Sequence, residues 1–392
     1  MKRISIIIAF LSFGLTVTAQ SGYDAVLQQI ETNSTSLSAL RNQVEAQKLG
    51  NHTGIYPANP EVEFNYLWGS PSVIGNRYDI NVTQSFDFPT AYAHRSKIAG
   101  LQNENTELAY KAERLNILFT AKQICIELIY YNALAKEYAE RLKNAERIAT
   151  AYKTKLEKGE VNALENNKAQ LNLITVQTEV SQIETERTAL LTQLKSLNGN
   201  KEIVFPDDVY PVNPMPISFE EWVATTETKS PVLQLISKQI EIDKQQVKLQ
   251  NTLWLPKFSA GYMSENVVGQ NFQGITVGMS IPLWENKNSV KQAKIQVLAA
   301  ESTLTDSKLQ FYSRLQILYT KAAALQQNAQ KIRLSLSDYG NEALLKKALD
   351  AGEISLLTYL LEIEYYYDAI SKVLEAERDC ELTVAELRTV EL

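Results

Sequence analysis

Tyr78-Asp79-Ile80-Asn81-Val82-Thr83-Gln84-Ser85-Phe86-Asp87-Phe88 is the stretch from which the fold is read. Ile80, Val82, Phe86 and Phe88 share one parity; Asp79, Asn81, Thr83, Ser85 and Asp87 share the other. Successive side chains of a strand point to opposite faces, so this alternation predicts a strand with one apolar and one polar side. Just upstream, Val62, Phe64, Tyr66 and Trp68 oppose Glu61, Glu63 and Asn65, and the two segments make a hairpin over 60–88. A second hairpin is expected over 256–284. There Ile275, Val277, Met279 and Ile281 oppose Gly274, Thr276, Gly278 and Ser280, and a weaker strand from Lys257 has Phe258, Ala260 and Tyr262 on its apolar side. Strands of about 9–11 residues, apolar outside and polar inside, are what a membrane barrel requires. A sheet packed on a soluble core gives the same alternation in a single hairpin. Four strands cannot close a barrel, whose smallest bacterial form has about eight, so a barrel built this way needs several copies of the chain.

The second hairpin answers the first because the chain repeats itself. Glu31-Thr32-Asn33-Ser34-Thr35-Ser36-Leu37 returns as Glu227-Thr228-Lys229-Ser230-Pro231-Val232-Leu233, and Pro60-Glu61-Val62-Glu63-Phe64 as Pro256-Lys257-Phe258-Ser259-Ala260. Phe88-Pro89 is matched by Ile281-Pro282, and Lys158-Gly159-Glu160-Val161 by Ala351-Gly352-Glu353-Ile354. Across these anchors the offset drifts by only three residues, so one unit is used twice. The first repeat covers 20–200 and the second 218–392, separated by a connector, 201–217, that carries Pro206, Pro211, Pro214 and Pro216. Each repeat is predicted to run helix, hairpin, long helix, tip turn, helix. The long helices are 91–157 and 288–350, and the helices after the tips are 161–198 and 353–392.

Those helices carry a coiled-coil rhythm. Phe311, Leu315, Leu318, Ala322, Leu325, Ala329, Ile332, Leu336 and Tyr339 are spaced alternately four and three apart. Tyr138, Leu142, Ala145, Ala149, Tyr152 and Leu156 follow the same rhythm, as do Val176, Val180 and Ile183, then Leu190, Leu194 and Leu197. A sustained seven-residue repeat demands partner helices. At 1.5 Å per residue the 91–157 helix is about 100 Å long. The helices 161–197 and 219–251 laid end to end match it, and 353–392 with an N-terminal helix over 23–49 would match 288–350. That is the geometry of a helical tube wall.

The compartment is written at the start. Lys2 and Arg3 precede an apolar run from Ile4 to Val17, and Val17 and Ala19 occupy the −3 and −1 places of a cleavage site. This is a secretory signal peptide over 1–19, shorter than the roughly 20 apolar residues of a membrane-spanning helix. The formal charge is −6, and loss of Lys2 and Arg3 makes the exported chain more acidic still, which excludes a nucleic-acid binder. Cys125 and Cys380 fall in apolar helical stretches, which points to two buried free thiols. His52 and His94 lie at no metal-ligand spacing, and no phosphate loop, dinucleotide fingerprint or nucleophile elbow occurs. No catalytic residue, metal site or cofactor is expected, and the chain is not read as an enzyme.

Together these features resemble the TolC-like outer-membrane efflux protein family, and the resemblance covers nearly the whole mature chain. It implies a homotrimer whose hairpins close a twelve-stranded β-barrel in outer-membrane lipid, with the α-helical coiled coils forming a periplasmic tunnel. It also implies two protein partners, a periplasmic adaptor and an inner-membrane pump, in a tripartite efflux system that this channel serves passively. The family's helix-turn-helix tips read Gly, several residues, then an Asp-Val-Leu-Asp-like run. Here the glycines are Gly159 and Gly352, but the acidic places of the second tip are Thr358 and Leu361, and the first keeps one acid, Glu165, as a gate candidate at the tunnel mouth. A periplasmic adaptor, or a coiled-coil scaffold without a channel, is the alternative.

Two residue sets are singled out. Glu61, Glu63, Asp79 and Asp87, with Glu265, outnumber Arg77 and Lys257 on the face expected to line a lumen. Two readings stand for them: wetting of a pore, or a field that favours cations. At the tips, glycine ends a helix without a Cβ clash. Each tip glycine is followed by an acid that the dipole of the next helix favours and by a β-branched apolar residue, in Glu160-Val161 and Glu353-Ile354. Apolar residues exposed at the end of a tube mark contacts, so these six residues are expected to form the adaptor-docking surface.

Overall fold

A computed structural model describes residues 22–212 and 214–392; the expected signal peptide, 1–19, lies outside the described residues. The chain folds into nine α-helices and four strands among those residues. In order they are α1 (Gly22–Asn33), α2 (Thr35–Asn51), β1 (Glu61–Leu67), β2 (Arg77–Phe86), α3 (Pro89–Glu157), α4 (Ala163–Leu197), α5 (Phe219–Lys229) and α6 (Pro231–Thr252). β3 (Lys257–Val267), β4 (Gln270–Ser280), α7 (Ser289–Tyr339), α8 (Glu342–Asp350) and α9 (Leu356–Leu387) follow.

Three expected helices are broken. The helix expected over 23–49 stops at Ser34 and the one over 219–251 at Ser230, the same place in the two repeats. Both serines are buried. Ser230 Oγ accepts the Leu233 backbone N–H at 3.5 Å, and Pro231 follows at the first position of α6, where its missing N–H costs nothing. The repeated seven-residue motif is therefore a helix stop and restart. The long helix expected over 288–350 is also interrupted, between α7 and α8. At Gly340 the chain folds so tightly that an added Cβ would lie 2.8 Å from the Leu336 carbonyl oxygen and 3.4 Å from the Tyr366 ring. Glycine is a weak helix former and fits where no side chain would, so the helix parts there.

The heptad positions are where the helices pack. On α7, Leu315, Leu318, Ala322 and Ala329 are buried, and on α3 Ala145, Ala149 and Tyr152 are. Ile183 and Leu194 do the same on α4.

The contacts divide the chain into two compact units. One comprises the described part of Met1–Ser34 with Thr120–Asn213 and Asn328–Leu382. One of its apolar clusters is Ile148, Tyr152, Ala169, Leu349, Leu356, Tyr359 and Ile363. The connector is pinned here: Asn132 Nδ2 donates to the Phe205 and Asp207 carbonyls at 3.1 and 2.8 Å, and Tyr23 stacks on Phe205. Cys125 and Cys380 are buried in this unit and form no disulfide.

The other unit comprises Thr35–Phe119, Pro214–Gln327 and Thr383–Leu392 and holds the sheet. Phe219, Val223, Leu315, Leu318 and Leu387 form one of its clusters, and Ala91, Ile98, Ile242 and Leu249 another. Lys48 and Arg41 of α2 share Glu107 of α3 and hold its carboxyl below the ordinary carboxylate range. Each unit thus draws residues from both repeats.

Candidate functional site

The four strands form one antiparallel sheet in the order β1-β2-β3-β4. Val62 pairs with Val82, Val82 with Tyr262 and Tyr262 with Ile275, a row that lies on one face throughout. Phe64, Ile80, Phe86, Phe258, Val277 and Met279 share that face, and all of them are exposed. Nothing covers it. Both sheet edges, β1 and β4, also lack a further strand among the described residues. An uncovered apolar face and two open edges are what an isolated soluble sheet avoids. No helix among the described residues is long and apolar enough to cross a membrane.

The opposite face gathers the acids. Glu61 pairs in register with Thr83, Glu63 with Asn81, Asn65 with Asp79, and Asp79 with Glu265. Arg77 Nε lies 2.9 Å from Asp79 and 3.2 Å from Glu265, so one guanidinium serves two carboxylates. Asp79 is 7% exposed, whereas Glu61 and Glu63 are exposed and have no cationic partner among the described residues. Asp87 lies past the end of β2 and pairs with Arg95 at 2.6 Å, and Lys257 pairs with Glu285 at 3.0 Å. Of the four acids read from the sequence, Glu61 and Glu63 are thus the unneutralised pair. Small residues, Gly261, Gly274 and Gly278, alternate along the same face. A Cβ at Gly261 would come within 2.6 Å of the Val82 carbonyl oxygen.

The tips belong to the other unit and are built alike. Gly159 has φ +74° and Gly352 φ +73°, the left-handed conformation that favours glycine. At each, the next residue's N–H reaches back five positions: Glu160 to Lys155 at 2.8 Å, Glu353 to Ala348 at 2.9 Å. This is the Schellman closure of a helix C-terminus. Asn162 Oδ1 then accepts the Glu165 N–H at 3.0 Å and starts α4, with the Glu165 carboxylate in its first turn. Ser355 Oγ accepts the Thr358 N–H at 3.1 Å at the start of α9.

Gly159, Glu160, Gly352 and Glu353 are exposed, while Val161 and Ile354 are half-buried against the Tyr152–Tyr359 cluster. Apolar side chains that remain exposed near the tips include Leu164, Leu357 and Leu361, none of them among the six expected contacts. Their signal was present. The first turns of α9, Leu356 to Ile363, are apolar on more than one face, and a helix needs only one face for its own core. Arg141 was also missed. It is 6% exposed, lies 4.4 and 4.3 Å from the Tyr138 and Tyr367 ring centroids, and donates to the Tyr367 carbonyl at 3.0 Å. It ties α3 to α9 a few turns from the tips.

With the geometry in place, solved structures supply the comparison. The chain is similar to the Campylobacter jejuni CmeC outer membrane channel, with TM-score 0.75 and 17% identity over 94% of this chain and 85% of that one. The fold is that of the TolC-like outer-membrane channels. CusC, a structure bearing on folding and transmembrane channel formation, has the same fold at TM-score 0.79 and 12% identity, over 95% of this chain and 92% of that one. The Neisseria gonorrhoeae MtrE outer membrane channel in its open state matches at 0.69 and 14%, over 94% and 88%. No protein-family model and no curated protein matches the sequence. The TolC-like fold is thus shared at 12–17% identity.

Proposed function

We propose that the chain is the outer-membrane channel of a tripartite efflux system and conducts passively, without catalysis. The observation that carries this reading is the continuous exposed apolar face across all four strands, together with two open edges. In lipid every backbone polar group must be satisfied, so a sheet enters a membrane only when closed. Three copies close twelve strands edge to edge, leave the apolar face to lipid and turn Glu61 and Glu63 toward the lumen. The TolC-like fold supports the same arrangement, with the helices as a periplasmic tunnel whose tips meet an adaptor protein linked to an inner-membrane pump.

Exposed apolar side chains on the helices favour assembly too. On α7, Ile295, Leu298 and Leu309 keep four-three phase with Ser302 and Thr305 on a stripe distinct from the buried one. A second heptad stripe calls for a second helical neighbour.

The test is fractionation followed by crosslinking. The mature chain is expected with the outer membrane, and the crosslinked species is expected at three chain masses. Two or four chains refute the trimer, and recovery in the soluble fraction refutes the barrel. For the tips, Gly159, Glu160, Val161, Gly352, Glu353 and Ile354 with the neighbouring Leu164, Leu357 and Leu361 form the docking surface. Leu164→Asp with Leu357→Asp should stop export at normal channel abundance; unimpaired export would remove the assignment.

A further inference from the structure

The segments that enter β3 and leave β4 meet at one end of the sheet, because Lys257 pairs with Ser280. There Asn251, Trp254, Asn288, Val290, Lys291 and Lys294 line one open hollow. Its two lysines are hard to explain by folding. α7 has no acid in its first turn, and its first acidic residue, Glu301, is paired with Lys244 at 2.8 Å. Cations near a helix N-terminus oppose the macrodipole. Lys287, Lys291 and Lys294 also have no acidic partner among the described residues, whereas neighbouring Lys257 pairs with Glu285 at 3.0 Å.

The internal repeat provides a control. At the matching junction of the first half, Lys287, Lys291 and Lys294 are replaced by His94, Ile98 and Leu101. Ile98 is buried with Leu101 packed against it, and Arg95 is neutralised by Asp87 at 2.6 Å. The first junction leaves only Lys97 without an acidic partner among the described residues, whereas the second gathers three such lysines, so the patch is not a by-product of the strand-to-helix junction. It belongs to one junction and sits in a chain of net charge −6.

We propose that Trp254, Lys291 and Lys294, with Lys287 beside them, bind the headgroup of an anionic phospholipid at the end of the sheet. This rests on the reading of the sheet as a membrane wall. The apolar face runs on through Phe258, Met279 and Ile281 to Leu283 and Trp284, and Trp284 is 79% exposed. Tryptophan prefers the boundary between hydrocarbon and water, and lysine stems lie along apolar surface while their ammonium groups reach headgroup phosphate. The ammonium groups supply charge for the phosphate, the Asn251 and Asn288 amides supply neutral donors, and the Trp254 ring faces the glycerol and first methylenes.

The assembled protein in detergent, titrated with phosphatidylglycerol or phosphatidylethanolamine of the same acyl chains and read by native mass spectrometry, tests this. The wild type is expected to retain phosphatidylglycerol preferentially. Lys287→Gln with Lys291→Gln and Lys294→Gln should weaken that binding by about tenfold or more, since each such lysine contributes about a factor of five. The three Lys→Arg changes should preserve it. A triple Gln variant with undiminished preference overturns the proposal, and so does displacement of the lipid by millimolar inorganic phosphate, which would mark a free-anion site. Fractionation of the wild type separates the two readings. If it enters membranes yet the Gln variant keeps its preference, only the headgroup site fails; if it does not enter membranes, the wall and the site fail together.

Discussion

Ile275 is the residue whose replacement tests the membrane wall most directly. It stands at the middle of β4, opposite Tyr262 at the middle of β3, and is 84% exposed on the apolar face. If that face meets water, Ile275→Lys is a surface change worth within about 0.5 kcal/mol either way. If it meets the hydrocarbon midplane, a lysine there costs about 2–4 kcal/mol per chain. At tenfold per 1.4 kcal/mol, the inserted state should become roughly 30-fold to several-hundredfold less favourable for each protomer. Thr276→Lys, one residue on and on the polar face, is the matched control and should insert normally. The assay is the yield of heat-modifiable protein in outer-membrane fractions, with unheated samples migrating apart from boiled ones on a gel. Equal yields for Ile275→Lys and Thr276→Lys would refute the assignment of faces.

Three further outcomes are expected. Glu61→Gln with Glu63→Gln should lower the cation preference of the reconstituted open channel, read as the reversal potential in a salt gradient, and adding Asp79→Asn should change it less because that carboxylate is buried and held against Arg77. Gly159→Ala and Gly352→Ala should each cost about 1–2 kcal/mol, since a Cβ there has open space and only the left-handed backbone is strained. Asn at either site should cost less than Ala, and equal melting shifts for the two replacements would show that the turn is not the cause. Burial pushes the Cys125 thiol up to about 12 and the Cys380 thiol up to about 11, so both should resist iodoacetamide at pH 8 until the chain is unfolded. These acids are held neutral in the fold, so their contribution to stability is complete below the ordinary thiol range and is lost as pH rises from about 9 toward those values.

What could be read from the chain alone follows the range over which each signal acts. The sheet's two faces were legible because a strand's alternation is complete within ten residues, and Tyr78 to Phe88 contains all of it. The tip turns were legible for the same reason, since Gly159 and Gly352 each close their helix within five residues. The breaks at Ser34 and Ser230 are harder to read because each rests on the burial of one serine, which the local sequence does not show. At Gly340 the heptads of α7 carry the expected helix through a glycine that the 2.8 Å approach of the Leu336 carbonyl oxygen favours. Around Arg141 the local partners Glu137 and Tyr138 look like an ordinary helix face, and its tie to α9 is hidden because the carbonyl acceptor on Tyr367 lies 226 positions away. The split between Asp79, which is buried against Arg77, and Glu61 and Glu63, which have no cationic partner among the described residues, likewise needs the strand register.

The way each compact unit is stitched from three separated stretches constrains when the protein can fold. The sheet-bearing unit draws on residues from Thr35 onward and also on Thr383–Leu392, where Leu387 is fully buried in its core. Neither repeat carries a complete unit, so a chain emerging from its N-terminus has no finished domain to lock until its last-needed residues arrive. Contacts that join such distant stretches form slowly, because loop closure must precede the packing that rewards it. On the proposed route, in which the chain is threaded unfolded through one membrane before reaching another, this late cooperativity is protective: premature collapse is disfavoured by topology. It also leaves the apolar strand residues uncovered throughout transit, which is the interval in which a holding chaperone would be needed.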